Sequence, residues 1–273
     1  MLVALFGGIY SNHLALAAAI ADAQRRGAEQ MYCLGDLGAF GPHPDCVWPL
    51  LQDAQVACLQ GNYDHSIGNR LRDCQCGYTD PRDNYFAQLS YDYTDAHTSE
   101  PFRAWMRNLP REIRFELGGH RVLLCHGSPR RTNEFLWEST TSTAFLERLA
   151  TEHDADVICG THTGIHWQRK LSGSRRFVNV GVLGRPENDG TTRVWYTMLH
   201  VPGRVSPDSG TTRPGSQDAI DVQFIPVEYD HERLAAEMQA ERLPKEFVET
   251  ILTGWWTTCL EVLPAKERRR GKW

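Results

Sequence analysis

The sequence predicts an α/β fold carrying a helical C-terminal extension, on three observations. Over the first two thirds, short β-branched runs alternate with amphipathic stretches of helical period. The early runs each empty into a turn holding Gly and a polar residue: GGIYSN, GDLGAFGP and GNYDH. Beyond Asp230 the pattern turns helical.

Taken in order, Leu2 to Phe6 reads as a strand and His13 to Arg26 as a helix closed by Gly27. Met31 to Leu34 is a second strand, Pro44 to Ala54 a helix and Val56 to Leu59 a third strand. Further strands fall at Arg121 to Cys125, Ala155 to Cys159, Arg176 to Val180 and Arg193 to Val201; the first three end in HGSPRR, GTHTGIH and NVGVLGRPENDG. Such strand-to-loop transitions gather side chains along one sheet edge, where open α/β sheets bind ligands. Asp73 to Asp83 is a polar loop with two Cys, leading into the aromatic Asn84 to Tyr93. Residues 202–218, rich in Pro, Gly, Ser and Thr, read as a mobile excursion. A strand over Ile220 to Tyr229 follows, then helices over Asp230 to Ala240 and Pro244 to Leu263, the latter carrying GWWTTCLEVL, and a solvated basic end, KERRRGKW. No internal repeat is present. The expected division is one domain over 1–229 and a helical extension over 230–273 packed on it.

Composition bounds the function. The 273 residues carry 29 Lys plus Arg against 34 Asp plus Glu, net −5, with 41% hydrophobic residues. That excludes disorder and argues against a nucleic-acid binder, whose footprint is basic. No apolar run approaches the roughly 18 residues that span a bilayer. The apolar start, MLVALFGGIY, lacks a basic region and a cleavage site, so it does not read as a signal peptide, and the cytoplasm is the expected compartment. The eight Cys lack a framework spacing, and several, such as Cys33, Cys125 and Cys159, lie in strand-like runs; they read as reduced core residues rather than disulfides.

Chemistry concentrates at the strand ends. Asp36 follows Gly35, Asn62 follows Gly61, His126 precedes Gly127 and His162 lies in THTG. One carboxylate, one amide oxygen and two imidazoles form a mixed set suited to a borderline divalent metal: Fe, Mn, Zn or Ni. Singly, each is an ordinary turn or cap residue; four at successive strand ends point to one site.

In GDLGAFGP, GNYD, CHGSP, THTGIHW and NVGVLGRP, taken in order, the chain resembles the calcineurin-like metallophosphoesterases, nearest to their small prokaryotic phosphodiesterase branch, from residue 2 to about residue 200. The resemblance implies a four-layer sandwich of two mixed β-sheets flanked by helices, and a pair of metals about one bridging Asp. Here the first motif, Asp-x-His-Gly-Asn in the family, reads Gly8-Ile9-Tyr10-Ser11-Asn12, and the last, Gly-His-x-His, reads Thr161-His162-Thr163-Gly164. A register placing Thr at both His positions is disfavoured, because Ile165 and Trp167 then leave the family's turn positions. The three missing groups all serve the first metal. The implied second-metal set, Asp36, Asn62, His126 and His162, is intact, which predicts a single metal ion.

Other roles follow. Where the family has a His beside the Asn, commonly the leaving-group acid, this chain has Tyr63, followed by Asp64 and His65; Tyr63 and His65 are candidate proton donors. Tyr10 enters the vacated first-metal space as a hydroxyl donor or as a ring that fills volume. Arg130, Arg131 and Arg185 are candidates for gripping a phosphate in bidentate fashion, with surface ion pairing as the plain alternative. His166 reads as a turn residue or a support beyond the ligands. Cys74 and Cys76, in a Cys-x-Cys spacing, are a weak metal signal without a second pair, and Trp255, Trp256 and Cys259 read as core anchors at helical spacing.

Three functions fit. The leading one is hydrolysis of a phosphodiester or nucleotide-like small-molecule phosphoester through one acidified, metal-bound water. The second is a mononuclear non-haem iron enzyme using oxygen, since Asp36, His126 and His162 make a two-His, one-carboxylate set. The third is a binding or scaffold module, favoured by an uncovered Trp255 and Trp256 pair.

Overall fold

A computed structural model describes residues 1–201 and 220–269; the excursion expected over 202–218 and the last residues of the basic end lie outside the described residues. Two five-stranded sheets pack face to face. The first has the order β10-β9-β1-β2-β3, from β1 (Leu2–Phe6), β2 (Gln30–Cys33), β3 (Ala57–Cys58), β9 (Val194–His200) and β10 (Asp221–Val227). The second has the order β4-β5-β6-β8-β7, from β4 (Glu112–Leu117), β5 (His120–Cys125), β6 (Val157–Gly160), β7 (Trp167–Lys170) and β8 (Arg176–Asn179). The two-residue period of a strand decides which side chains fill each layer. In β1, Val3 and Leu5 face the second sheet, joining Leu34, Leu124, Val157 and Val178 between the sheets. Ala4 and Phe6 point the other way, under α1 (His13–Arg25) and α2 (Val47–Asp53). The outer face of the second sheet, through Leu123, Ile158 and Phe177, is covered by Leu146 and Leu149 of α6 (Thr143–Glu152). This is the expected four-layer sandwich.

β1, β2 and β3 run parallel in one sheet, as do β5, β6 and β8 in the other. Their C-terminal ends therefore open on a common edge, and every candidate ligand leaves from there. The third strand's exit becomes α3 (Asn62–Gly68), where the sequence suggested only a turn. Its polar face is buried, with Asn62, Asp64 and Ser66 inside, which hides it from an amphipathic reading.

The C-terminal region contributes α7 (His231–Ala240), α8 (Lys245–Thr253) and the short α9 (Ala265–Arg268). Leu234, Met238, Phe247 and Ile251 pack against Phe86 of α4 (Pro81–His97), with Leu14, Phe40 and Tyr93 alongside. Two expectations are corrected. The helix expected from Pro244 to Leu263 stops at Gly254, whose φ of 71° ends it, so GWWTTCLEVL is a loop that returns toward the sheet edge. Cys74 and Cys76, expected to be reduced, are joined as a disulfide, while the other six cysteines are free. Among the described residues no helix is long and apolar enough to cross a membrane.

Candidate metal centre

Asp36 follows β2, Asn62 opens α3, His126 follows β5 and His162 follows β6. All four are buried. Asp36, His126 and His162 each offer an atom within 4.8 Å of the others'. Asp36 Oδ2 and His162 Nδ1 each lie 3.1 Å from His126 Nε2.

The outer atoms of the two imidazoles fix their tautomers. A carbonyl can only accept, so His126 Nδ1–H donates to Leu34 O at 2.6 Å and His162 Nε2–H donates to Cys76 O at 3.2 Å. That leaves His126 Nε2, His162 Nδ1 and Asp36 Oδ2 as three lone-pair acceptors facing one another with no donor among them. Only a cation can hold such a group together, a shared proton or a metal ion. Without a metal, burial pushes the His126 pKa down but the neighbouring Asp36 carboxylate pushes it up and prevails, and His126 in turn holds the Asp36 carboxyl low against burial. Burial and then His126 push the second imidazole, His162, down to about 3, so it serves as a neutral acceptor.

Asn62 opens α3 at the same sheet edge. Its Nδ2 donates to Cys74 O at 2.8 Å and lies 3.4 Å from Cys76 Sγ, while its buried Oδ1 has no hydrogen-bond partner among the described residues. An orphaned amide oxygen is costly in a protein interior, and a hard donor added to two imidazoles and a carboxylate makes a set that suits a divalent ion. The residues present therefore fit a metal.

The supporting shell is dense. Asp36 Oδ1 accepts from Tyr63 N at 3.0 Å. Asp64 accepts from the backbone N–H groups of Asp36, Leu37 and Gly61, tying the Asp36 loop to α3. Burial and the Asp36 charge raise the Asp64 carboxyl to about 6. Sequence reasoning assigned Asp64 no role, yet its place three residues after Gly61 is a capping-box position. The backbone is also unusual: Asp36 has φ 56° and His162 φ 65°, with Tyr10 at 50° and Ser11 at 58° close by.

The other candidates are placed as follows. Tyr10 is buried in the loop after β1, whose N–H groups at Ile9 and Tyr10 donate to Asp36 O. Tyr63 sends its hydroxyl into the packing of α4, donating to Ser90 Oγ at 2.9 Å. His65 lies one turn along α3, its Nδ1 3.3 Å from Asn69 Nδ2. Arg130 pairs with Glu134 and lies over the Phe145 ring. Arg131, with Arg111, Arg130 and Ser128, lines a polar cavity of about 70 Å³ that reaches His126. Arg185 is buried between the rings of Trp256 and Phe40. His166 donates its backbone N–H to Glu187 and its Nδ1 lies 2.6 Å from the same carboxylate. Trp256 is buried, so the Trp pair does not form an uncovered patch.

Comparison with known proteins bears on the family and the fold. Residues 1–202 match the model of the calcineurin-like phosphoesterase superfamily domain. An uncharacterized protein of Methanocaldococcus jannaschii is 21% identical over 270 residues, covering 93% of this chain and 98% of its own. A hypothetical protein of Pyrococcus horikoshii superposes with a TM-score of 0.72 at 20% identity, over 94% of this chain and 99% of that one. A metallophosphoesterase of Sphaerobacter thermophilus gives 0.66 at 22% identity, over 93% and 99%. Each of these three matches covers more than nine tenths of both chains.

Proposed function

We infer that this chain, which belongs to the calcineurin-like phosphoesterase superfamily, hydrolyses a phosphodiester or nucleotide-like phosphoester with one divalent ion held by Asp36, Asn62, His126 and His162. The observation that carries this reading is the convergence of three lone pairs on Asp36, His126 and His162, together with the buried, unpartnered Asn62 Oδ1; the resemblance of the motifs implies that these four would serve one metal and that Gly8, Tyr10 and Gly164 replace the ligands of the other.

Asp36, Asn62, His126 and His162 would hold the divalent ion, which would supply a water acidified toward pKa ~7 and a Lewis acid for a phosphoryl oxygen. The chain's own residues do the rest. Leu34 O and Cys76 O hold the two imidazoles in the tautomers that present lone pairs inward. Arg111 and Arg131, neither with an ion pair among the described residues, give the cavity beside His126 the positive field that draws an anionic substrate. In hydrolysis the attacking oxygen bonds to phosphorus, the ester P–O bond breaks and the departing oxygen takes a proton. Tyr10 is protonated at neutral pH, because burial and then Asp36 raise its pKa, so its hydroxyl is a donor there. His65 is the other candidate for the leaving oxygen. Tyr63 must first break its bond to Ser90 to serve.

The same Asp36, His126 and His162 set favours the second reading, oxygen chemistry on iron. One experiment separates the two. Protein purified without chelator is analysed for metal and assayed on bis-p-nitrophenyl phosphate beside Asp36→Ala. One metal per chain and hydrolysis lost in the variant are expected. Two metals or none overturn the one-ion site. Bound iron with substrate-dependent oxygen uptake and no hydrolysis transfers it to the second reading.

A further inference from the structure

The first-metal position is filled, and what fills it is chemically specific. At Gly8, where the family has an aspartate, a Cβ would lie 2.5 Å from Tyr10 Cε1 and 3.0 Å from its hydroxyl oxygen. At Gly164, where the family has its second His, a Cβ would lie 3.3 Å from Trp256 Cη2 and 3.7 Å from Arg185 Nη2. The volume of the lost ligands and ion thus holds a phenol, an indole face and a guanidinium.

Arg185 is the unexpected member. Its guanidinium carbon lies 3.5 Å from the Trp256 ring centroid and 4.9 Å from that of Phe40. Among the described residues it has no ion pair or hydrogen bond, and its Nε is buried without a hydrogen-bond partner. Buried cations are ordinarily paired, and two aromatic faces offset only part of the cost of taking this one out of water. Its seat is built: Trp256 Nε1–H donates to Pro186 O at 2.6 Å and Trp256 N–H to Asn188 Oδ1 at 2.9 Å, so the loop carrying Arg185 and the loop after α8 lock each other. Tyr10 and Arg185 meet the same ring, Phe40, whose centroid lies 5.4 Å from that of Tyr10 and 4.9 Å from the guanidinium carbon, and Gly164, two residues after His162, lies against both Trp256 and Arg185.

We propose that Arg185 is a fixed cation standing in for the first metal ion, and that with the Tyr10 hydroxyl it forms an oxyanion subsite for the phosphoryl group of the substrate. The proposal rests on the one-ion reading above. Its charge arithmetic is conservative: a 2+ ion together with its private aspartate contributes a net 1+, and one guanidinium contributes the same. Five N–H donors in a rigid fork suit two phosphoryl oxygens at once, and Arg185, always charged, needs no metal supply. The C-terminal region thereby becomes part of the site, since Trp256 is what holds the guanidinium in place.

The test is calorimetric titration of inorganic phosphate into the full chain loaded with manganese, comparing wild type, Arg185→Met and Arg185→Lys, with metal content and circular dichroism measured on each. Arg185→Met is expected to bind one metal per chain, to keep the fold and to lose phosphate affinity by about tenfold to a hundredfold, the loss of one charge-assisted contact. Arg185→Lys is expected to recover part of it, because the charge returns without the fork. Phosphate binding unchanged in a folded, metal-loaded Arg185→Met overturns the proposal. If Arg185→Met fails to fold, Arg185→Lys decides: affinity equal to wild type overturns it. Absence of metal from the wild type instead overturns the one-ion reading, and phosphate binding that still depends on Arg185 then upholds the subsite.

Discussion

Opening the Cys74–Cys76 disulfide is expected to weaken metal binding far more than it weakens the fold. The two effects have separable sizes. The bridge closes a loop of sequence separation 2, and chain entropy for so short a loop amounts to about 1.6 kcal/mol. The same loop offers carbonyls to two of the four proposed metal donors, Cys74 O to Asn62 and Cys76 O to His162. Losing one such outer contact typically costs about 10- to 100-fold in metal affinity. Losing both, if independent, sets a ceiling of about 10² to 10⁴, or about 3 to 5.5 kcal/mol. The assay is zinc affinity by competition with a chromophoric chelator, before and after a phosphine reductant, with the Cys74→Ala/Cys76→Ala double variant as the permanently open form. Urea unfolding of the metal-free protein gives the stability change alongside. Equal zinc affinity in the oxidised, reduced and double-variant proteins would falsify the claim that this loop orients the ligands. A fall in affinity matched by an equal fall in metal-free stability would mean that the disulfide acts on the whole fold rather than on the site.

Further outcomes follow from other contacts. Arg121 pairs with Asp156 and donates its backbone N–H to the same carboxylate, holding it at about 2, below the usual 3.8. Because the folded value is the lower one, this stabilisation is present above about pH 4 and fades as pH falls toward 2. Asp156→Asn should flatten that part of a stability-versus-pH curve, and an identical acid limb in the variant would refute the assignment. Restoring the family aspartate by Gly8→Asp should not restore a second metal, because the new Cβ meets the Tyr10 ring. It should instead destabilise by about 1 to 3 kcal/mol through overpacking, partly relieved by adding Tyr10→His. Two metals per chain in Gly8→Asp alone would show that the Tyr10 and Arg185 filling yields to an ion.

Much of the architecture is legible from residue patterns, and the failures share physical causes. β1, β2, β5, β6 and β8 are readable because each is an apolar run that empties into a turn at the functional edge. β4 and β7 escape notice because they are edge strands. Their exposed Arg114, Glu116 and Gln168 look like loop residues, although charge on an edge is a protection against mispairing. The stretch after Gly254 reads as a helix on apolar density alone, yet Trp256 is fixed by Pro186 and Asn188, partners some seventy positions away in sequence. Asp36, His126 and His162, which the structure brings together, can be found in the sequence because their side chains carry the chemistry. The outer contacts cannot, since Cys74 and Cys76 act through main-chain carbonyls, which residue identity does not encode. The isolation of Arg185 is equally hidden, because a missing partner is a property of three-dimensional packing.

The left-handed backbone at Asp36 and His162 sets a running contest between stability and retention. Each non-glycine residue held there forgoes about 1 to 2 kcal/mol that glycine would recover. If this centre were idle, drift toward Gly or Asn at both positions would be rewarded at once by a firmer fold. In a library of this chain selected for thermal tolerance alone, positions 36 and 162 should therefore be among the first to change. Selected in the presence of scarce metal and a need for the ion, they should be among the last.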